Sequence, residues 1–213
     1  MKIKLFYIVN ALIILTGFGI GAYYFPKLPS MIANHWGPQG LADGYSDKSW
    51  GVFLMPIIST VLFLLLSFLP HIDPNAKNIQ KFREKYNIFV TVMMVFFLYL
   101  FVLTISWNLG NQFNMVQYLM PAFAVLFYFV GDLVKNAEPN FTIGIRTPWT
   151  LSNSKVWEKT HELGAKIYQW SALIILIGIF VPDFAIFFML IPVILSSLLL
   201  VLYSYLEFRK IKQ

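Results

Sequence analysis

The sequence predicts an all-α, polytopic integral membrane protein with six transmembrane helices and both termini in the cytoplasm. Three observations support this prediction. Hydrophobic residues make up 58% of the 213 residues and charged residues 12%, about half the charged share of a soluble domain. The hydrophobic residues form six long runs, and the basic residues alternate between loops. Lipid rather than water is therefore the main solvent of this chain.

Six stretches are long enough to cross a bilayer, which requires about 20 mostly apolar residues. None has Lys or Arg at its centre, and the one carboxylate inside a stretch is Asp132, near the end of the fourth. The predicted spans are residues 5–25, 50–69, 88–107, 115–134, 163–181 and 184–206.

The six spans are expected to form one membrane domain over residues 1–213. Residues 5–69 contain the first two spans and a structured outer loop, 26–49. Residues 70–213 contain spans three to six and an inner loop, 135–162.

The basic residues set the orientation. Lys27 and Lys48 lie on one side of the predicted spans, and the other fourteen lie on the opposite side. By the positive-inside rule the side with fourteen is cytoplasmic. These residues are Lys2, Lys4, Lys77, Lys81, Arg83, Lys85, Lys135, Arg146, Lys155, Lys159, Lys166, Arg209, Lys210 and Lys212.

The outer loop is rich in turn-forming residues, and a short helix is expected from residue 30 to 36, ended by Gly37. His35, Asp43, Asp47 and Lys48 form a polar set in this loop. That set could bind a cation, with His35 and Asp43 as the metal ligands, or present a polar surface to an extracellular peptide. An ordinary solvated loop is the alternative.

The inner loop holds Arg146 among Gly144, Thr147 and Pro148. This turn-rich frame could place the guanidinium against Asp132 or Glu138. A structural plug between the fourth and fifth helices is the alternative.

Two helical segments are expected beside the inner face. Ser152 is a candidate N-cap for a helix that continues into span five, with Leu151 and Val156 as a hydrophobic staple. Asp73 is a candidate cap before Pro74. An interfacial helix follows, with lysines 77, 81 and 85 opposite the apolar residues 79, 82 and 86.

The sequence contains no catalytic or cofactor motif and no cysteine. We therefore expect no enzyme activity, no cofactor and no direct nucleic-acid binding. One alternative is a membrane enzyme, possibly metal-dependent, that uses His35 with Asp43, or His161 with Asp132 and Glu138. Another is a small-solute transporter, which would need a polar cavity near the bilayer midplane.

Both loops resemble those of SdpI-type bacterial membrane proteins. The outer resemblance lies in Phe25-Pro-Lys-Leu-Pro29, Asn34-His-Trp36, Gly40, Asp43-Gly-Tyr45 and Lys48. The inner one lies in Pro139-Asn-Phe141, Gly144-Ile-Arg-Thr-Pro-Trp-Thr-Leu-Ser152, Val156-Trp157 and His161. Together the two loops cover about a quarter of the chain.

This resemblance implies a multi-pass immunity protein of the bacterial plasma membrane that protects against a secreted membrane-active peptide, such as the sporulation-delaying toxin. It also implies a signal receptor that holds a small helix-turn-helix repressor at the membrane. The outer loop would be peptide-facing or structural, through Pro29, His35, Asp43, Gly44 and Lys48. The inner signature would be Asn140, Gly144, Arg146, Thr147, Pro148, Trp149, Trp157 and His161.

Overall fold

The computed structural model describes residues 3–211 and consists mainly of helices. The elements are α1 (Ile3–Tyr24), β1 (Met31–Trp36), β2 (Ala42–Asp47), α2 (Lys48–Ile72), α3 (Ala76–Lys81), α4 (Arg83–Asn108), α5 (Met115–Asn136), α6 (Pro148–Ser152), α7 (Ser154–Ile177) and α8 (Ala185–Ile211). Short 3-10 turns cover Phe25–Lys27, Gly178–Phe180 and Pro182–Phe184.

Six of these helices, α1, α2, α4, α5, α7 and α8, are long and apolar enough to cross a membrane. The prediction of an all-α membrane protein with six spans is therefore confirmed. Large apolar side chains such as Leu12, Leu64 and Leu198 are exposed on the outer faces of these helices. In a bilayer these faces meet lipid tails, so the exposure carries no hydrophobic penalty.

The helices pack in two groups of three. Helices α1, α2 and α4 contact one another, and so do α5, α7 and α8, while α4 and α5 join the two groups. Phe6, Tyr86 and Met94 are buried in the first group. Met120, Ala172 and Ile175 are buried in the second.

The outer loop forms an antiparallel β-hairpin of β1 and β2, so the expected helix over residues 30–36 is wrong. The chain reverses between Gly37 and Gly40, where Gly40 has a φ of 74° and donates to the Gly37 carbonyl. Few residues other than glycine adopt this left-handed conformation. On β1, Ile32 and Ala33 are fully buried, and Asn108 of α4 bonds both the N–H and the carbonyl of Ala33.

The hairpin leads directly into α2 through a capping interaction. The Asp47 carboxylate accepts a hydrogen bond from the Ser49 N–H at 2.8 Å. This bond holds the pKa of Asp47 below its usual value. The cap therefore fixes the point where the hairpin ends and the second span begins.

Two of the expected helix caps lie elsewhere. Helix α7 is capped by Asn153, whose side chain accepts from the N–H groups of Lys155 and Val156, so Ser152 is not its cap. The proposed staple, which depended on a cap at Ser152, moves out of register with it. Asp73 ends α2, and Asn75 precedes α3. A separate short helix, α6, precedes α7, because Thr147 and Pro148 begin a helical turn of their own.

The basic residues divide between the two ends of the bundle as expected. Hydrogen bonds at one end join the α2–α4 junction, the loop before α7 and the end of α8. Hydrogen bonds at the other end join the hairpin to residues 108–115. Lys77, Lys81 and Lys85 lie at the first end, opposite the buried Ile79, Phe82 and Tyr86. Lys2 and Lys212, which were also predicted to lie on the cytoplasmic side, are outside the described residues.

Candidate functional site

The candidate site is the signature loop, defined here as residues 137–153, between α5 and α7. Asn140 organises its first half and is 1% exposed. The Asn140 side-chain oxygen accepts from the N–H groups of Thr142 and Ile143 at 2.9 and 2.6 Å. Its amide group donates to the carbonyls of Glu138 and Ile143 at 2.8 Å each. One asparagine thus replaces the backbone pairing that this irregular segment lacks.

Asp73 fastens the signature loop to the end of α2. One carboxylate oxygen accepts from the Asn75 N–H at 2.7 Å. The other accepts from the Phe141 N–H at 2.9 Å and from the Thr142 hydroxyl at 2.8 Å. Asn78 adds a bond to the Pro139 carbonyl at 2.7 Å. Because Asp73 is only 4% exposed, these bonds also satisfy a buried carboxylate.

His161 on α7 holds the second half of the loop. Its Nε2 accepts from the Ile145 N–H at 3.0 Å, and its Nδ1 lies 2.8 Å from the Trp157 carbonyl. Because one nitrogen accepts and the other must donate, the ring in this arrangement is neutral. The His161 ring stacks on Trp157, whose Nε1 donates to the Ala137 carbonyl at 2.7 Å.

Gly144 lies directly against the His161 ring. Its φ is 118°, and a Cβ at this position would lie 2.5 Å from His161 Nε2. Only glycine combines this backbone conformation with such a close approach. The glycine of the signature is therefore needed for the loop to pack on α7.

Thr147 and Pro148 connect the loop to α8. Thr147 and Thr150 form a reciprocal capping box around α6. The Thr147 hydroxyl donates to Ser204 at 3.0 Å, and the Trp149 ring lies 5.1 Å from that of Tyr205. An ion pair also joins Lys159 of α7 to Glu207 of α8 at 2.8 Å.

The expected pairing of Arg146 with Asp132 or Glu138 is not formed. The Arg146 Nη1 donates to the Phe141 carbonyl at 2.6 Å. Asp132 instead pairs with Lys85 at 3.0 Å, and Glu138 lies 3.9 Å from Lys81. Both carboxylates thus pair with lysines of α3 and α4. The exposed guanidinium of Arg146 has no acidic partner within residues 3–211.

The signature loop also forms the floor of a cavity of about 430 Å³ between the two helix groups. Arg146 is the one charged residue among those that line it. The others are Leu66, Leu69, Tyr86, Phe89, Val130, Leu133, Val134, Thr142, Ile143, Gly144, Ile145, Thr147, Tyr168, Ser197, Leu200 and Val201. The cavity therefore has apolar walls and a polar floor.

The outer residues occupy the hairpin and its base. His35 Nδ1 lies 2.5 Å from an Asp43 oxygen, and both side chains are mostly exposed. Gly44 faces His35 across the strands, where a Cβ would lie 2.8 Å from the His35 Cβ. Lys48 lies under the hairpin, 3.4 Å from the carbonyls of Phe25 and Leu28. Pro29 is exposed.

The residues suggested for a metal site do not form a set of three or more ligands: His35 and Asp43 meet only as a pair, and the inner set has other partners. No group of three or more histidine, aspartate or glutamate side chains with metal-binding spacing occurs in the described part of the chain. At the inner loop, both His161 nitrogens bond backbone atoms, and Asp132 and Glu138 pair with lysines. The geometry therefore does not support the His161, Asp132 and Glu138 site.

Sequence reasoning missed several residues of the site. Asp73 was expected only as a helix cap, and neither Ser204 nor Glu207 was singled out. Glu207 carried a usable signal, since it is a carboxylate one residue beyond the last predicted span. Ser204 carried none, because a serine in an apolar helix usually bonds its own backbone.

Comparisons with known proteins coincide with these two regions. Residues 12–60 match a domain of unknown function (DUF1648), and residues 136–205 match the SdpI/YfhL protein family. The resemblance to the SdpI family is confirmed. The second match begins at the end of α5 and includes the whole signature loop.

A full-length similarity extends this resemblance beyond the two loops. The chain is 24% identical over 205 residues to the immunity protein SdpI of Bacillus subtilis, which covers 96% of each chain. No solved structure matches this sequence. The similarity to SdpI therefore spans all six helices.

Proposed function

We propose that this chain is an SdpI-like immunity protein that protects a bacterial cell against a secreted membrane-active peptide by binding rather than by catalysis. Its similarity to the B. subtilis immunity protein along nearly the whole chain supports this role. The structural observation that carries it is the signature loop, a polar unit locked by Asn140, Asp73 and His161 and located within the SdpI/YfhL match.

We place both termini and the signature loop in the cytoplasm. The end of the bundle that carries the signature loop holds all but two of the basic residues between 3 and 211. Basic residues are retained on the cytoplasmic side of membrane proteins, where anionic lipids also attract them. The hairpin of β1 and β2 then faces the exterior.

In this orientation the hairpin is the peptide-facing surface. His35 and Asp43 present an exposed polar pair, and Met31 and Tyr45 are more than half exposed beside them. A surface with both apolar and polar groups suits an amphipathic peptide. We assign Pro29, Gly44 and Lys48 to the support of this hairpin.

The signature loop would serve as the cytoplasmic output of a peptide sensor. Phe141 and Leu151 are 49% and 43% exposed beside the exposed Arg146. Exposed apolar groups near a cation are typical of protein interaction sites. We propose that a small helix-turn-helix repressor binds there; failure of such a repressor to co-purify with membranes that contain the full chain would remove this part of the proposal.

Protection of a sensitive cell tests the immunity role. Cells that express the chain should survive a membrane-active toxin of the SdpI-associated type better than cells with an empty vector. The Arg146→Ala variant should insert into the membrane at normal levels but lose protection, since no other side chain supplies its charge in the loop.

Arg209→Ala is the matched control, because Arg209 is an exposed arginine at the end of α8 and does not line the cavity. It should protect as well as the native chain. Equal survival with and without the native chain, for every membrane-active peptide applied, would contradict the proposed function.

A further inference from the structure

We propose that the cavity above the signature loop binds one anionic phospholipid, with its phosphate at Arg146 and an acyl chain between the two helix groups. This inference stands apart from immunity, because it concerns a lipid of the protein's own membrane.

The volume of the cavity suits one lipid chain. Its volume of about 430 Å³ lies within the range of roughly 300–1,000 Å³ typical of small-molecule sites. One turn of a helix with its side chains, a cylinder roughly 10–12 Å wide and 5.4 Å high, occupies about 400–600 Å³. The cavity could therefore take about one turn of a peptide helix, whereas a single flexible acyl chain can enter it.

The depth of the cavity matches that of a lipid in the cytoplasmic leaflet. Leu66 and Leu69 lie in the last two turns of α2, which ends at Ile72. At a rise of 1.5 Å per residue, they lie within about 10 Å of the helix end. In the orientation proposed above, with this helix end at the cytoplasmic membrane surface, the apolar walls would lie at the depth of the first acyl carbons and the signature loop at the depth of the headgroups.

The charge of the floor favours an anion. The Arg146 guanidinium uses Nη1 for the Phe141 carbonyl and has no carboxylate partner in the described chain. Its remaining N–H groups suit a phosphate, which guanidinium groups bind through paired hydrogen bonds. The nearby Asp73 carboxylate accepts three hydrogen bonds and is buried, so its charge is offset at short range.

Native mass spectrometry of the purified full-length chain, titrated with phosphatidylglycerol, tests the proposal. The native chain should retain one lipid per protein. Arg146→Gln should weaken that binding tenfold or more, because at least one charge-assisted hydrogen bond is lost and about 1.4 kcal/mol corresponds to a factor of ten. Arg209→Gln, the matched control, should bind as the native chain does.

A second variant tests the acyl-chain site without changing charge. Val201→Phe adds bulk to the cavity wall and should lower retention of phosphatidylglycerol several-fold, whereas Leu199→Phe, on the same helix but outside the cavity lining, should not. Lipid retention is measured on the purified protein without a toxin, so these results do not depend on the immunity role.

Unchanged lipid retention in both Arg146→Gln and Val201→Phe would overturn the proposal. An added toxin peptide that binds in the cavity while lipid retention stays unchanged in the variants would also overturn it, because the cavity would then belong to the peptide.

Discussion

At the scale of single residues, His161 shows how tertiary contacts decide the role of a histidine. From sequence, His161 could have been a metal ligand beside two carboxylates. In the fold its ring receives the Ile145 N–H and meets the Trp157 carbonyl, so both nitrogens serve the backbone. Protonation would remove the acceptor for Ile145. His161 is therefore a structural support for the signature loop.

Gly144→Ala is expected to destabilise the protein. An alanine would have to adopt a φ of 118° and place its Cβ 2.5 Å from His161 Nε2. Backbone strain of this kind costs about 1–3 kcal/mol, and displacement of the histidine adds to that cost. Thermal unfolding of the purified protein in detergent measures the change.

Gly110→Ala is the matched control for Gly144→Ala. Gly110 also has a positive φ, 102°, but a Cβ there would meet nothing within 4 Å. It should lower the unfolding temperature through strain alone, by less than Gly144→Ala does. Equal decreases for the two variants would show that the approach to His161 contributes nothing.

At the scale of elements, the junction between α2 and α4 is tied to the signature loop more closely than its sequence indicates. The apolar residues 79, 82 and 86 are buried, as the predicted stripe implies, but the expected single interfacial helix is wrong, because α3 ends at Lys81 and α4 begins at Arg83. The contact of Asp73 with Phe141 joins residues 68 positions apart. No local pattern predicts a contact of that kind.

Asp73→Ala should loosen the signature loop without unfolding the helices. The substitution removes the acceptor of the Phe141 N–H and leaves the Thr142 hydroxyl with only its longer bond of 3.4 Å to Asn140. Hydrogen bonds to a charged group contribute about 1.5–3 kcal/mol each. Amide hydrogen exchange over residues 139–146 should therefore become about tenfold faster or more.

Asp183→Ala is the control for Asp73→Ala, since Asp183 is an exposed carboxylate at the other end of the bundle. It should leave exchange in the signature loop unchanged. Native-like exchange in Asp73→Ala would mean that the bonds of Asn140, Asn78 and His161 hold this segment without Asp73.

In the outer hairpin, contacts with a distant helix overrode a conformation that the local sequence predicted. Its turn residues were recognised, but the segment before them was predicted to be helical. The β conformation depends on Asn108, which bonds both backbone groups of Ala33 from α4, and on burial of Ile32. Partners from a distant helix thus decided between two local conformations.

At the scale of the whole molecule, the fold separates two chemically different ends. The hairpin end carries Lys27 and Lys48, and the end with the signature loop carries the remaining basic residues of the described chain. This difference is the basis for the proposed orientation, because a bilayer with anionic cytoplasmic lipids distinguishes the two ends.

Cysteine labelling tests that orientation directly, since the native chain contains no cysteine. Gln39→Cys in the hairpin turn should react with a membrane-impermeant maleimide in intact cells. Ser152→Cys, exposed in the signature loop, should react only after the membrane is permeabilised. Labelling of Ser152→Cys in intact cells would reverse the assigned sides of both loops.

The sequence by itself determined the six spans, the basic asymmetry and the two loops that carry the family resemblance. These properties depend on local composition, which the bilayer selects directly through span length and charge. Only the tertiary structure decided the hairpin, the lysine partners of Asp132 and Glu138, and the position of Arg146 at the floor of the cavity. Those features require residues far apart in the chain to meet, and their competition for partners is settled by helix packing.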